Sequence, residues 1–323
     1  MTLKKKAALA NNQGFALLVV IVVLLLTSFL ASQLILAVRT EQRIAFNARE
    51  RNRAALLSEA GVNIALFRLM DKPISLEAEE EFGALRAGQQ YASYLESGRV
   101  TYHAANESGK IDLNAAPARL LELFLQYHGL SGEEAAIVVD SLLDWGDSDP
   151  LARLNGAEQE YYLGLPEPYI PRNGKIEDPG EFFLVRGTGA LEGRLDPLEV
   201  FTVSNPLKKI NFNSLPPAML DFVVAGDAGR LAAYHEARAL QPTLNAAQAR
   251  QILGDERYLE LEPFLTYEDG AGRMYTITAT GEAGLAPAAE GSDEEAGVRV
   301  TVQALVRLLA NGYQILAWKE RYT

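Results

Sequence analysis

"NNQGFALLVVIVVLLLTSFLASQLILAV", residues 11–38, decides the architecture of this chain. From Phe15 to Val38 it runs for 24 residues without a charge. A helix of that length is about 36 Å long, enough to cross a bilayer. A secretory signal has a shorter core of about 7 to 15 apolar residues and a small-x-small cleavage site beyond it; neither is present here. Lys4, Lys5 and Lys6 precede the run. They hold that end in the cytoplasm under the positive-inside rule, which leaves the bulk of the chain outside.

The next stretch, "RTEQRIAFNARERNRAALLSEAGVNIALFRLM" (residues 39–70), keeps strong helix formers and has no proline, so the helix is expected to continue past the membrane. Ile44, Leu56, Leu57, Ala60, Ile64, Leu66, Phe67 and Met70 form an imperfect helical stripe, the pattern of a helix that packs on a domain. Leu56, Ile64 and Phe67 are assigned to the core of that domain.

With 323 residues, 48% hydrophobic and 22% charged, the remainder has the composition of one or two globular domains. There is no cysteine, so neither a disulfide nor a thiolate metal site is available. Residues 1–53 carry eight Lys and Arg against two Glu, a net of +6, which leaves −18 for the rest of a chain whose total is −12. The anchor is basic and the head acidic.

Strand-like alternation occurs at residues 99–106 ("RVTYHAAN"), and then at 273–282, 298–309 and 313–321. The last three read as an antiparallel meander. Between them, residues 107–271 are mostly helical in pattern and punctuated by Pro117, Pro150, Pro179, Pro206, Pro216 and Pro217, which predicts an insertion between the first and second strands. The acidic stretch "EAGLAPAAEGSDEEAG" (282–297) reads as a solvated, mobile loop.

The insertion contains a repeat: "KIDLNAAPARLL" (110–121) and "KINFNSLPPAML" (209–220) align without a gap at an offset of 99 residues. Each predicts an extended entry and then a helix. Asn114 and Asn213 could cap those helices, with the prolines in the first turn, where no amide proton is needed. "LSGEEAAIVVDSLLDW" and "EDPGEFFLVRGTGALEG" add helix-turn-helix-like elements. Such entries also look like helix-hairpin-helix modules, in which glycine-rich turns hold phosphates; Gly187 and Gly189 in "VRGTGA" would serve. A membrane-anchored DNA-binding or uptake protein is the alternative reading. Charge opposes it, because residues 107–160 hold three basic and eleven acidic side chains, a surface that repels a duplex.

No catalytic constellation stands out. The histidines are His103, His128 and His235, expected at surface or boundary positions. His235-Glu236 begins like a zinc-protease helix, but Ala239 replaces the second histidine. The chain is not expected to be an enzyme. "DWGDSDPLARLNGAEQE" gathers Asp144, Asp147 and Asp149 ahead of Glu158 and Glu160. With Asp147 as the first place of a calcium loop, Asp149 is third and Glu158 twelfth. The fifth place is Leu151 and the sixth is Ala152 where an EF-hand needs glycine. Asp147, Asp149 and Glu158 are the candidate calcium ligands; a solvated acidic turn is the alternative. No other cofactor is required.

Gly14-Phe15 ahead of the apolar run resembles the processing site of type IV pilins and pseudopilins. The resemblance implies that a prepilin peptidase removes the leader "MTLKKKAALANNQG" by cleavage between Gly14 and Phe15, then methylates the new amino group to give N-methylphenylalanine. Most members carry glutamate at the fifth mature position, where it pairs with a neighbour's amino terminus. Here that position is Val19. A carboxylate in lipid is costly without a partner, so its absence suits a subunit with nothing ahead of it.

"GFALLVVIVVLLL", "ESGKIDLNAAP", "LLDWGDSD", "RLNGAEQEYY", "EFFLVRG", "KINFNSLPPAML" and "ILAWKERY" are together similar to the minor pseudopilin K family (GspK) of type II secretion. The implied fold class is α+β: a long N-terminal transmembrane and amphipathic helix, a pilin-like antiparallel sheet, and a large mostly α-helical insertion with helix-hairpin-helix-like repeats. The expected segments are leader 1–14, transmembrane half 15–38, amphipathic half 39–75, first part of the head 76–106, insertion 107–271 and C-terminal strands 272–323. The family implies a single-pass bacterial inner-membrane protein, N-terminus cytoplasmic and head periplasmic, at the tip of a short pseudopilus. Implied partners are minor pseudopilins I and J, the major pseudopilin, the prepilin peptidase and the inner-membrane assembly platform, with no nucleic acid.

Overall fold

A computed structural model describes residues 4–70, 85, 89–96, 98–205, 208–241, 243–268, 273–284, 297–309 and 311–322, with the backbone alone for 4–14. The acidic stretch 285–296 and the expected end of the amphipathic helix at 71–75 lie outside the described residues.

One helix, α1, runs from Lys4 to Met70. From Phe15 to Arg49 every side chain is exposed, and burial begins at Glu50. The second half lies on a five-stranded antiparallel sheet of spatial order β1-β2-β7-β8-β9, made of β1 (Tyr91–Leu95), β2 (Gly98–Asn106), β7 (Met274–Ala283), β8 (Val298–Leu309) and β9 (Gly312–Tyr322). Alternate residues of the three central strands point at the helix. Val100, Tyr102 and Ala104 of β2, Ile277 and Ala279 of β7, and Val302, Ala304 and Val306 of β8 meet Val62, Ala65 and Leu66 of α1. Ala54 and Leu57 pack on Ala283 and Val300 a turn or two earlier.

The helix face differs from the sequence expectation. Ile64 packs at the edge of the core, but Leu56 and Phe67 are 66% and 58% exposed, whereas Leu57 and Leu66 are buried. Where two adjacent leucines stand on a helix, only the sheet decides which one faces in.

β1 was not expected. "YASYL" is a five-residue edge strand, too short to show a clear apolar alternation. Its presence places the insertion between the second and third strands of this sheet, β2 and β7, which are themselves paired from Arg99↔Glu282 to Asn106↔Tyr275.

The insertion leaves β2 through a 3-10 turn, Glu107–Gly109. At this neck Lys110 Nζ donates to Glu107 Oε1 at 2.7 Å and to the Leu198 carbonyl at 2.9 Å, while Thr276 of β7 donates to the same Glu107 oxygen. Both charged side chains are buried. Buried ions are tolerable when paired and hydrogen-bonded in this way.

The repeat is visible as two equivalent ladders. β3 (Ile111–Asp112) pairs in parallel with β4 (Phe201–Thr202), and β5 (Ile210–Asn211) with β6 (Leu265–Thr266). Helices fill each interval: Ala118–Tyr127, Gly132–Gly146, Gln159–Leu163 and Pro197–Val200 in the first, Pro217–Val224, Ala228–Leu240, Ala246–Leu253 and Asp255–Leu261 in the second. The two halves share one core, where Phe124 meets Phe201 and Phe222 with ring centroids 5.3 Å apart in both contacts.

Asn114 and Asn213 are not caps; the residues in those places are Pro117 and Pro216. Instead each asparagine clamps a distant backbone. Asn114 exchanges hydrogen bonds with the amide and carbonyl of Ile176 (2.8 and 2.9 Å), and Asn213 with those of Leu244 (2.7 and 2.9 Å), adding the Tyr267 carbonyl at 3.2 Å. What the copies share is therefore this ladder and clamp. The helix-turn-helix reading of "LSGEEAAIVVDSLLDW" also gives way: it is a single helix capped reciprocally by Ser131 and Glu134, and the second stretch forms two 3-10 turns. Gly187 sits at φ +89°, and a Cβ there would come within 2.9 Å of Val138, so this turn is packed against a helix.

Burial decides the relative weight of the clamps. Asn213 is buried and Asn114 exposed, so Asn213→Ala should lose about 2–3 kcal/mol of stability by stranding buried amide and carbonyl groups, and Asn114→Ala about 1 kcal/mol or less. Denaturant melts of the two variants check the order.

Candidate functional site

The C-terminal end of the helix Gly132–Gly146 turns into the loop that sequence spacing singled out. The loop folds back on two aspartates, the half-buried Asp140 and the buried Asp144. Asp140 accepts from the amide and side chain of Asn155 (3.1 and 3.0 Å). Asp144, fully buried, accepts from the amide of Arg153 at 3.1 Å and its Nη1 at 2.5 Å. The same guanidinium nitrogen donates to Asp147 Oδ2 at 2.7 Å. Gly156 is required by this turn, since a Cβ would fall 1.8 Å from Asp144 Oδ2.

This fold-back brings Asp147, Asp149 and Glu158 together, with one carboxylate oxygen of each within 4.8 Å of the others. Asp144 and Glu160, also acidic in this stretch, are not in that group; Asp144 is spent on Arg153. Asp149 Oδ1 accepts from the Leu151 amide at 2.9 Å. By contrast Asp147 Oδ1 and both oxygens of Glu158 are buried with no hydrogen-bond partner. Glu158 is only 8% exposed. Burial, and then the charges of Asp144, Asp147 and Asp149, push its carboxyl above the ordinary range. A buried carboxylate with two empty acceptors among like charges is a costly arrangement for the bare protein. A divalent cation with oxygen preference would resolve it, and the donor set is all carboxylate, as a hard cation requires. The residues present fit calcium. Asp147, Asp149 and Glu158 would hold it, and the ion would supply charge neutralisation and a cross-link between the end of one helix and the start of the next.

His103 and His128 are half-buried and His235 is exposed, as the sequence suggested. Burial lowers the pKa of His103 and His128.

A second candidate surface is α1 itself. Phe15–Val38 is apolar and entirely exposed, and Leu56 and Phe67 extend an outward apolar face alongside the head. Beside the helix, Tyr313, Ile315 and Trp318 of β9 are partly exposed; they pair with Leu308, Val306 and Ala304 and so share the helix side of the sheet. Arg51 covers only the far end, stacking 3.7 Å above the Tyr322 ring.

The chain thus joins a membrane-length helix, an antiparallel sheet on which its second half docks, and an insertion between two paired strands. Residues 86–198 match the family model for type II secretion system (T2SS), protein K. It is 30% identical over 134 residues to the type II secretion system protein K of Klebsiella pneumoniae, a match covering 40% of this chain and 41% of that one. It is 32% identical over 111 residues to the protein K of Aeromonas hydrophila, covering 34% and 33%. The matched segments thus span less than half of these relatives. The fold also matches a chain from the solved GspK-GspI-GspJ complex of the enterotoxigenic Escherichia coli type 2 secretion system, with a TM-score of 0.57 at 16% identity over 88% of this chain and 99% of that one.

Proposed function

We propose that this chain is a minor pseudopilin of a type II secretion system. It joins minor pseudopilins I and J at the tip of a periplasmic pseudopilus and helps to start assembly. It is anchored once in the bacterial inner membrane, N-terminus cytoplasmic, and acts as an assembly subunit without catalysis. The observation that carries this reading is the single uninterrupted helix from an exposed apolar run into the core of a head whose residues 86–198 match the protein K model, with Val19 at the position where a forward-pairing carboxylate would stand. Leu56, Phe67 and the open part of β9 are the apolar surface left for partner helices. Calcium held by Asp147, Asp149 and Glu158 stiffens the insertion, a structural staple for a head that has no cysteine.

The test is the intact mass of the membrane-extracted protein made with and without a prepilin peptidase. Loss of residues 1–14 plus one methyl group is expected only when the peptidase is present. Full-length mass in both preparations would reject the pseudopilin reading and leave a plain signal-anchored protein.

A further inference from the structure

Beyond Val38, the first face of α1 to leave the apolar run carries Arg39, Gln42, Arg43, Phe46 and Asn47, which line an open cleft of about 540 Å³. Their spacing, i, i+3, i+4, i+7 and i+8, is that of one helical face. The face offers two guanidinium groups and two carboxamides, and no carboxylate. Among the described residues neither arginine has an anionic partner. Glu41 stands off this face, and Glu50 is held by Arg53 at 3.1 Å. Like charges four residues apart on a helix repel, so the pair is unfavourable until an anion sits between them.

Position and direction say which anion. A 36 Å apolar helix over a hydrocarbon core of about 30 Å puts Arg39 at the headgroup level, with Arg43 about one turn (roughly 6 Å) further out. Helical side chains lean toward the N-terminus, which aims both guanidinium groups back at the bilayer surface. We infer that Arg39 and Arg43 form a binding site for the headgroup of an anionic phospholipid, the phosphate lying between the two guanidinium groups and Gln42 and Asn47 donating at its rim. Planar guanidinium donors match phosphate oxygens in pairs, and a net negative lipid is favoured over a zwitterionic one because nothing on this face offsets the two positive charges. The site rests on the reading of residues 15–38 as membrane-spanning.

The full-length protein is placed in nanodiscs of nine parts phosphatidylcholine to one part phosphatidylglycerol, and the lipids it retains after mild detergent stripping are counted by native mass spectrometry. The ratio of phosphatidylglycerol to phosphatidylcholine among the retained lipids should be about tenfold that of the disc. The R39Q/R43Q double variant should retain lipid at the disc ratio, and R49Q, which lies off the cleft, should behave as the wild type. Retention at the disc ratio by the wild type, or unchanged enrichment in R39Q/R43Q, would overturn the site while leaving the anchor intact. Recovery of the protein outside the disc fraction would overturn the membrane-spanning reading, and the site with it.

Discussion

Gly281→Ala should separate the long helix from the sheet. At Gly281, in the middle of the helix-facing row of β7, an added Cβ would lie 2.1 Å from the Ala54 carbonyl oxygen and 2.6 Å from the Ser58 amide nitrogen. Both are backbone atoms of α1, so no side chain can rotate away. Gly61 makes the reciprocal approach: a Cβ there would meet Val100 Cγ2 at 2.5 Å and the Ala279 Cβ at 2.9 Å. The helix axis is thus set on the sheet by two glycines, one from each partner. Either α1 lifts, uncovering Ala54, Leu57 and Val300, or the strands deform. We expect a loss of about 3 kcal/mol, at the upper end of overpacking costs. Gly189→Ala, where nothing stands within 4 Å, should change stability by no more than about 0.5 kcal/mol. The two tryptophans separate the parts, Trp145 lying in the insertion core and Trp318 on β9. In single-tryptophan versions, Gly281→Ala should lower the melting transition seen by Trp318 and leave that of Trp145 close to the wild type. Equal shifts at both would mean that the head melts as one unit.

How much of this was legible depended on whether the deciding contact is local. The continuous helix followed from an unbroken run of helix formers, and β2, β7, β8 and β9 from alternation, because each of those signals is carried within a few residues. The repeat was legible as a repeat, but the role of its asparagines was not. The groups that Asn114 and Asn213 bind lie 62 and 31 residues further on, and no local pattern distinguishes such a clamp from a cap. β1 escaped because its five residues are too few to carry a clear alternation, whereas β9, the other edge strand, has eleven. The choice between Leu56 and Leu57 lay with Gly281 and Ala54, 227 residues apart in the chain. The acidic loop is the converse case. Its EF-hand-like count selected three side chains that the fold does bring together, although the glycine that a true EF-hand needs is absent. The turn is made instead by Arg153 bridging Asp144 and Asp147, a solution that spacing alone did not reveal.

Calcium should raise the melting temperature of the full-length protein in detergent, and Glu158→Gln should abolish that response while making the metal-free protein more stable. The two effects have one cause. Without a cation, Glu158 must lose its proton in a buried place next to Asp144, Asp147 and Asp149, so its folded pKa stands above the unfolded value. In that case the native state binds the proton more tightly than the unfolded chain does. The stability this contributes is present in full below about pH 4.5 and is lost as pH rises through the higher folded value. The metal-free insertion should therefore weaken from mildly acidic to neutral pH. Calcium binds only the ionised form, so its benefit should be small in acid and largest at neutral pH, where it turns an uncompensated charge into a ligand. At a hundredfold excess over its dissociation constant, the ion adds about 2.7 kcal/mol, or roughly 5–10 °C in melting temperature for a unit of this size. Glutamine keeps the shape and one oxygen but removes the charge, which relieves the repulsion and forfeits the ion. A solvated acidic turn predicts a different pattern: no response to millimolar calcium, and no gain from Glu158→Gln. Calorimetry with calcium and EDTA at pH 5 and pH 7.5, on both proteins, decides between them.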